Sequence, residues 1–122
     1  MELLERAAAA ASPLLAAESL SEGGLLLTFE AGRLRLRGDP ASAGLVEELV
    51  EAGDRDASRG VNLGEDEPWW RLIGNPLVAV SAVPGGAALQ FRHDNDNPRI
   101  VEIVLEAGAL RVALRPFEKA QS

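Results

Sequence analysis

The chain has 122 residues, enough for one domain with its own hydrophobic core, and its 47% hydrophobic and 25% charged residues are ordinary for a globular protein. It has no cysteine, which excludes disulfides, thiolate metal sites and thiol nucleophiles, and no apolar run approaches the roughly 18 residues of a membrane-spanning helix. Its formal net charge of −7 argues against nucleic acid as a partner, because duplex binding depends on cationic side chains that neutralise phosphates.

Residues 2–11 are predicted to form a helix that ends before Pro13. Alanine has the highest helix propensity, and Glu2 and Glu5 in the first turn suit the helix dipole. The residue before a proline is driven out of the helical region, so Ser12 ends the helix. The same two glutamates stand where a secretion signal carries positive charge, and we therefore expect a cytoplasmic protein.

A strand and a hairpin are predicted next. Residues 14–20 form the strand, and a turn at Gly23-Gly24 follows it. Residues 25–30 and 33–37 alternate apolar and polar side chains with period two, which is typical of half-buried strands. Ala31-Gly32 makes the tight connection between them, so the pattern predicts a β-hairpin.

Residues 45–50 have two interpretations. Their apolar residues recur at helical spacing, with glutamates on the other side of the predicted helix. The alternative is a fourth strand of the first meander, and the pattern does not decide between the two. An acidic linker is predicted over about residues 53–66, with a short extended piece at residues 61–63.

The second half of the chain is predicted to contain a short helix and four strands. Pro68 after Asp66 or Glu67 favours a helix that runs through Ile73, with Gly74 as its C-terminal cap. Strands are then predicted at residues 77–83, 87–93, 100–106 and 109–115.

Two stretches of the chain are similar to each other. In each, a Pro-Leu pair leads through Gly-Gly to Leu-x-Phe, and the proline-to-phenylalanine distance is 16 residues in one and 15 in the other. We therefore predict a single domain over residues 1–122, with repeat-like halves at about 1–53 and 67–116. The predicted class is α+β, with two helix-plus-antiparallel-meander repeats that form a curled sheet or two packed sheets.

This tandem pattern of Pro-Leu, Gly-Gly and Leu-x-Phe resembles a family of small bacterial proteins of unknown function. Residues 33–40 and 70–77 carry the same resemblance, which covers most of residues 13–115. The resemblance implies no activity, no cofactor and no catalytic residue.

The adjacent tryptophans Trp69 and Trp70 are the most informative surface candidates. Neighbouring residues of a helix diverge by about 100°, so one indole is expected in the core and the other in a groove or at a contact. Tryptophan is enriched at interface hot spots, which favours a binding role for the second one. The predicted binding surface consists of Trp69, Trp70, Arg71, Glu65, Asp66 and Glu67.

Acidic residues are concentrated in residues 47–67. This stretch has eight acidic residues against two arginines, a net charge of −6. Such a segment could mimic nucleic acid, hold a metal ion or dock a basic partner, and the alternative is a solvated helix face followed by a loop.

A dense polar cluster contains His93, Asp94 and Asp96. Its alternating Asp and Asn resemble the start of a calcium loop, but Pro98 stands at the fifth position and Leu105 at the twelfth, where ligands are needed. We favour a polar hairpin loop, in which such side chains bond to their own backbone. No catalytic residue, metal or cofactor is predicted.

We therefore expect a non-catalytic protein–protein interaction module rather than an enzyme. Its partner would be another protein or a second copy of the chain in a homodimer, and neither nucleic acid nor a membrane is expected. The alternative is a small-molecule or metal-binding domain, or an enzyme, with a pocket between the repeats near Trp70, Arg71 and His93.

Overall fold

The computed structural model of the protein describes residues 2–20, 23–39, 44–50, 61–65, 69–92, 99–106 and 109–114. These residues are mostly antiparallel sheet, accompanied by one α-helix, α1 (Glu2–Ala9), and one 3-10 helix (Trp69–Arg71). The strands form one sheet of five and one sheet of four, so the coarse α+β prediction is confirmed in its two-sheet form. In the described part of the chain, no helix has the length and apolar character needed to cross a membrane.

The start of α1 is held by a side chain from a distant strand. The carboxylate of Glu47 accepts hydrogen bonds from the backbone N–H groups of Leu3 and Leu4, at 3.1 and 2.8 Å. The first N–H groups of a helix have no partner within the helix, and a negative charge there also suits the helix dipole. Glu47 therefore fixes the helix to the sheet.

The end of α1 is a left-handed turn just before Pro13. Ala11 has a φ of 50°, and the N–H of Ser12 bonds to the carbonyl of Ala7 at 3.0 Å, which closes the last turn. The hydroxyl of Ser12 then accepts a hydrogen bond from the N–H of Ala31 at 2.9 Å. The predicted stop before the proline is confirmed, and the serine ties it to the hairpin.

The first sheet has the order β4-β3-β2-β1-β5, with every neighbouring pair antiparallel. Its strands are β1 (Leu14–Ser19), β2 (Leu25–Phe29), β3 (Gly32–Asp39), β4 (Gly44–Val50) and β5 (Val61–Asn62). The predicted strand, hairpin and short extended piece are confirmed.

Strand β4 resolves the ambiguity at residues 45–50: the strand interpretation is confirmed and the helical one is wrong. Glu47 pairs with Leu36, which is fully buried, so both side chains lie on the core side of the sheet. Glu47 takes that side because its carboxylate binds the start of α1. Glu47 interrupts the apolar residues on the core side, and Val50 is buried on the opposite side with Leu20 and Leu26, so the apolar residues fall at helical spacing.

The second sheet has the order β6-β7-β8-β9 and is also antiparallel. Its strands are β6 (Leu77–Val83), β7 (Gly86–Phe91), β8 (Arg99–Glu106) and β9 (Ala109–Leu114), which confirms the four predicted strands.

A 3-10 helix stands before β6 instead of the predicted helix through Ile73. The N–H groups of Leu72 and Ile73 both bond to the carbonyl of Trp69, and Gly74 follows with a φ of 93°. This left-handed glycine ends the turn, as expected of a C-terminal cap. The predicted start, at Asp66 to Pro68, lies outside the described residues.

The first hairpins of the two sheets have the same register. Leu14 pairs with Phe29 and Leu77 with Phe91, and a bulge interrupts both first strands directly after that pair. The four later pairs of the first hairpin also have counterparts in the second, with β6 numbered 63 above β1 and β7 numbered 62 above β2. A position in one hairpin can therefore be compared directly with its counterpart in the other.

The two first strands meet where they begin. The N–H of Leu14 bonds to the carbonyl of Asn75 at 3.1 Å, and the N–H of Leu77 bonds to the carbonyl of Ser12 at 3.0 Å. One hydrophobic core fills the space between the sheets and α1, and it includes residues from both sheets and from the helix. Trp69 of the 3-10 helix and Leu72 directly after it also belong to that core.

Candidate functional site

Trp69 and Trp70 point in opposite directions. Trp69 is 2% exposed and belongs to the core, whereas Trp70 is 51% exposed. Neighbouring residues of a 3-10 helix diverge by about 120°, so an adjacent pair cannot share one face. The expectation of one core and one surface indole is met, but Trp69 cannot contribute to the predicted binding surface because the core encloses it.

Arg71 stacks on the exposed indole. The centre of its guanidinium lies 4.5 Å from the centroid of the Trp70 ring, which is a cation–π contact. The carbonyl of Arg71 also accepts a hydrogen bond from the side-chain amide of Asn75 at 2.9 Å. Trp70 and Arg71 therefore form a planar surface that is partly apolar and partly cationic. The backbone that carries this surface is itself hydrogen-bonded.

The first sheet anchors the segment that carries this surface. The N–H of Gly74 bonds to the carbonyl of Leu14 at 2.7 Å, and the N–H of Leu14 bonds back to the carbonyl of Asn75 at 3.1 Å. Backbone bonds to a sheet restrict the motion of the 3-10 helix, so Trp70 is presented from a rigid element rather than from a loose loop.

The acidic stretch has structural as well as exposed members. Glu47 binds the start of α1, and Glu48 accepts hydrogen bonds from Arg35 at 2.9 Å and Arg37 at 3.3 Å. Glu65 is exposed. The remaining acids lie outside the described residues: Glu51, Asp54, Asp56, Asp66 and Glu67.

The pKa of Glu48 is lowered by two neighbouring arginines. The hydrogen bond from Arg37 is the largest cause that lowers the pKa of Glu48 below its ordinary value of 4.5. Burial opposes it, and the hydrogen bond from Arg35 and the charges of the two guanidinium groups lower the pKa further. A carboxyl whose pKa is lower in the folded state adds stability above its unfolded pKa and loses it as the pH falls through the folded pKa.

We expect Glu48→Gln to lower the free energy of unfolding at pH 7 by less than about 1 kcal/mol, since the carboxylate is partly exposed. The difference from the wild type should shrink as the pH falls below 4.5 and disappear below the lowered pKa of the folded state, where the wild-type carboxyl takes up its proton. Urea unfolding at several pH values measures this. In an Arg35→Gln, Arg37→Gln background the pH dependence of the difference should be lost; if it persists, these arginines are not its cause.

The polar cluster of His93, Asp94 and Asp96 lies outside the described residues. Arg99, which follows it, begins β8 opposite Phe91, and its Nε is buried with no hydrogen-bond partner in the described part of the chain. Among residues 2–20, 23–39, 44–50, 61–65, 69–92, 99–106 and 109–114, no group of three or more His, Asp and Glu side chains is arranged to hold a metal ion.

A groove of about 270 Å³ lies beside α1, away from Trp70 and Arg71. Its lining is Leu3, Arg6, Ala7, Phe29, Ala31, Gly32, Leu34 and Leu49. Arg6 is the one charged member of this lining, and it forms an ion pair with Glu2 at 2.8 Å. The volume is slightly below the roughly 300 Å³ at which pockets for drug-sized ligands begin, and the lining offers no acid–base pair.

β3 begins with a glycine that lines this groove, and a Cβ at Gly32 would come no closer than 4.0 Å to its neighbour Leu49. Gly32 pairs with Phe29, and in the second sheet the corresponding residue, opposite Phe91, is Arg99. The second sheet therefore has an arginine at the position where the first sheet has a glycine, which has no side chain. This groove is not the predicted pocket near Trp70, Arg71 and His93, because none of those residues lines it. His93 lies outside the described residues.

No protein-family model, curated protein or solved structure matches the chain, so any function assigned to it rests on its own residues.

Proposed function

We propose that this chain is a non-catalytic protein–protein interaction module that works as a homodimer and binds a protein partner through Trp70 and Arg71. The observation that carries the proposal is the half-exposed indole of Trp70 under the guanidinium of Arg71, 4.5 Å from the ring centroid. A cytoplasmic location is part of the same proposal.

The energetics of a buried indole favour Trp70 as the anchor. Covering its exposed half would remove about 100 Å² from water, which is worth roughly 2.5 kcal/mol at about 25 cal/mol per Å². Interface hot spots are rich in tryptophan and arginine, and they cost about 2 kcal/mol or more when truncated. One such residue on a rigid element can thus dominate a contact.

Charge favours a partner with a basic surface. The chain has a net charge of −7, and six of those negative charges come from residues 47–67, just before the tryptophans. Complementary charge across an interface speeds association and excludes wrong partners more than it raises affinity. Glu65 is the exposed acid of this stretch in the described part of the chain.

We also infer that the two halves arose from one duplicated helix-and-meander unit. Support comes from the shared register and bulge of the two first hairpins, and from the reciprocal hydrogen bonds between Leu14 and Asn75 and between Leu77 and Ser12. The second half has a 3-10 helix where the first has α1, so the helical part of the unit has diverged more than its strands.

Trp70→Ala should reduce partner binding at least tenfold and leave the fold intact, because a hot-spot loss of about 2 kcal/mol corresponds to roughly thirtyfold in affinity. Tagged full-length protein would be used as bait in native lysate, with the amount of each stoichiometric partner measured by mass spectrometry. Circular dichroism of the variant checks its fold.

Leu15→Ala is the matched control, since Leu15 is also 51% exposed but lies on β1. The control should retain the partner at the wild-type level. Equal capture by the wild type and Trp70→Ala would contradict the proposed role of the indole, and a wild-type bait without any stoichiometric partner would contradict the partner itself.

A further inference from the structure

The β6 edge of the second sheet differs chemically from the other sheet edges. β4 carries Glu47 and Glu48, β9 carries Arg111, and β5 is only two residues long. β6 has seven residues, Leu-Val-Ala-Val-Ser-Ala-Val, with no charge and no proline. Charges, prolines and short length are ways in which proteins prevent a sheet edge from pairing with another chain. β6 has none of them.

Strand β1, the counterpart of β6, indicates what such an edge binds in this fold. The carbonyl of Ala17 accepts a hydrogen bond from the N–H of Leu63 at 2.8 Å, and β5 continues the antiparallel pairing at Ser19. In the shared register, Ala17 and Ser19 correspond to Val80 and Ala82 of β6. An antiparallel strand therefore covers these positions in the first half.

Among the described residues, the backbone hydrogen bond that joins the β6 edge to another segment lies at the start of the strand. The N–H of Leu77 bonds to the carbonyl of Ser12, and α1 packs against the strand. The backbone groups of Val80 and Ala82 point away from β7, as those of Ala17 and Ser19 point away from β2, because alternate residues of an antiparallel strand direct both groups to one side. Within the described part of the chain, these groups have no hydrogen-bond partner.

We propose that β6 is the homodimer contact, in which two copies pair antiparallel along β6 with the twofold axis at Ser81. In this register Val80 lies opposite Ala82 of the partner subunit, and each such pair exchanges two N–H to C=O hydrogen bonds. The two four-stranded sheets join into one continuous sheet. The inference rests on the homodimer of the proposed function and names the surface that forms it.

The side chains of β6 suit close approach of a second copy. Ser81 faces its own counterpart at the axis, where opposing Cα atoms are about 4.5 Å apart and small side chains fit best. Ala79, Ser81 and Ala82 are small and exposed. The seven residues of β6 bring no charge to the contact, so the repulsion between two chains of net charge −7 acts only at longer range and is screened by salt.

The natural absence of cysteine makes the register directly testable. Ser81→Cys in the full chain places one thiol from each copy at the axis, and mild oxidation should link most of the protein into a disulfide dimer. Ala113→Cys, on exposed residue 113 of the opposite edge strand β9, is the matched control and should link at least tenfold more slowly. Non-reducing gel electrophoresis measures both rates.

A second variant tests the hydrogen bonds. Ala82→Pro removes an N–H that the sheet does not use and places a ring in the contact, which an edge strand tolerates but a paired strand does not. Sedimentation equilibrium should give a dimer dissociation constant raised at least tenfold, with an unchanged circular dichroism spectrum. If this variant fails to fold, the cysteine pair still decides the register.

Different results would overturn different parts of the inference. A wild-type chain that stays monomeric at hundreds of micromolar would contradict both the β6 contact and the homodimer of the proposed function. A wild-type dimer in which Ser81→Cys links no faster than Ala113→Cys would contradict the β6 contact alone. A dimer dissociation constant unchanged in a folded Ala82→Pro variant would do the same.

Discussion

Replacement of Trp69 by alanine should lower the free energy of unfolding by about 3–5 kcal/mol, which is the cost of removing a large aromatic side chain from a packed core. Trp69 is 2% exposed and packs in the core that both sheets share. Its loss would leave a cavity beside Leu72, which the hydrogen bonds of the 3-10 helix prevent from collapsing freely. Urea denaturation followed by circular dichroism measures the change.

Trp70→Ala is the control for that measurement, because it removes the same side chain from the adjacent position. Trp70 is 51% exposed, so its loss should cost less than about 1 kcal/mol, much of it from the cation–π contact with Arg71. Trp69 should thus affect stability and Trp70 should affect binding. Similar destabilisation by both variants would show that the division between core and surface is wrong.

The placement of one tryptophan in the core and the other on the surface could be predicted from the sequence only in part. Helical geometry requires the two indoles to diverge, but it does not say which one is buried. The choice follows from the bonds of Leu72 and Ile73 to Trp69 and from the anchoring of Gly74 to Leu14, which orient the 3-10 helix on the first sheet. The bond between Gly74 and Leu14 joins residues 60 positions apart in the sequence, so local pattern contains no information on it.

Most strands could be predicted because their apolar residues alternate, and β4 shows where that reasoning fails. Its alternation is broken by Glu47, which faces the core side in order to bind the backbone of Leu3 and Leu4. On the other face of β4, Val50 is buried in a second cluster with Leu20 and Leu26. The polar residue on the core side and the buried residue on the opposite side together give apparent helical spacing. Polar residues that serve a distant helix end are a general reason for such errors, because their partners are not neighbours in sequence.

The correspondence of the two first hairpins could be predicted from the spacing of Pro-Leu and Leu-x-Phe, but the differences between the two sheets could not. Gly32 and Arg99 hold corresponding positions opposite Phe29 and Phe91, and the glycine lines the groove beside α1. The contrast becomes visible when strand register is known, since Gly32 follows Phe29 by three residues and Arg99 follows Phe91 by eight. Because the two hairpin loops differ in length, the sequence alone does not show that Gly32 and Arg99 hold corresponding positions.

Gly86→Ala should be the most disruptive small substitution, lowering the free energy of unfolding by more than about 3 kcal/mol or preventing folding. A methyl group at this position would overlap the carbonyl oxygen of Ile103 and would come within 2.7 Å of the Cα of Val104. Both neighbours are backbone atoms of β8, paired with β7 along six residues, so neither can rotate away. The sequence indicates a glycine turn here, and the turn residue with positive φ is Gly85 at 77°.

Gly38→Ala is the matched control for this prediction, because it also adds one methyl group to a strand glycine. There the new methyl would meet the end of the Leu105 side chain, which can change rotamer, and the cost should stay near 1 kcal/mol. Urea denaturation of both variants tests the difference. If both variants lose little free energy of unfolding, and by similar amounts, then β7 and β8 can separate at Gly86 at little cost. The close approach of their backbones would then not be what stabilises the second sheet.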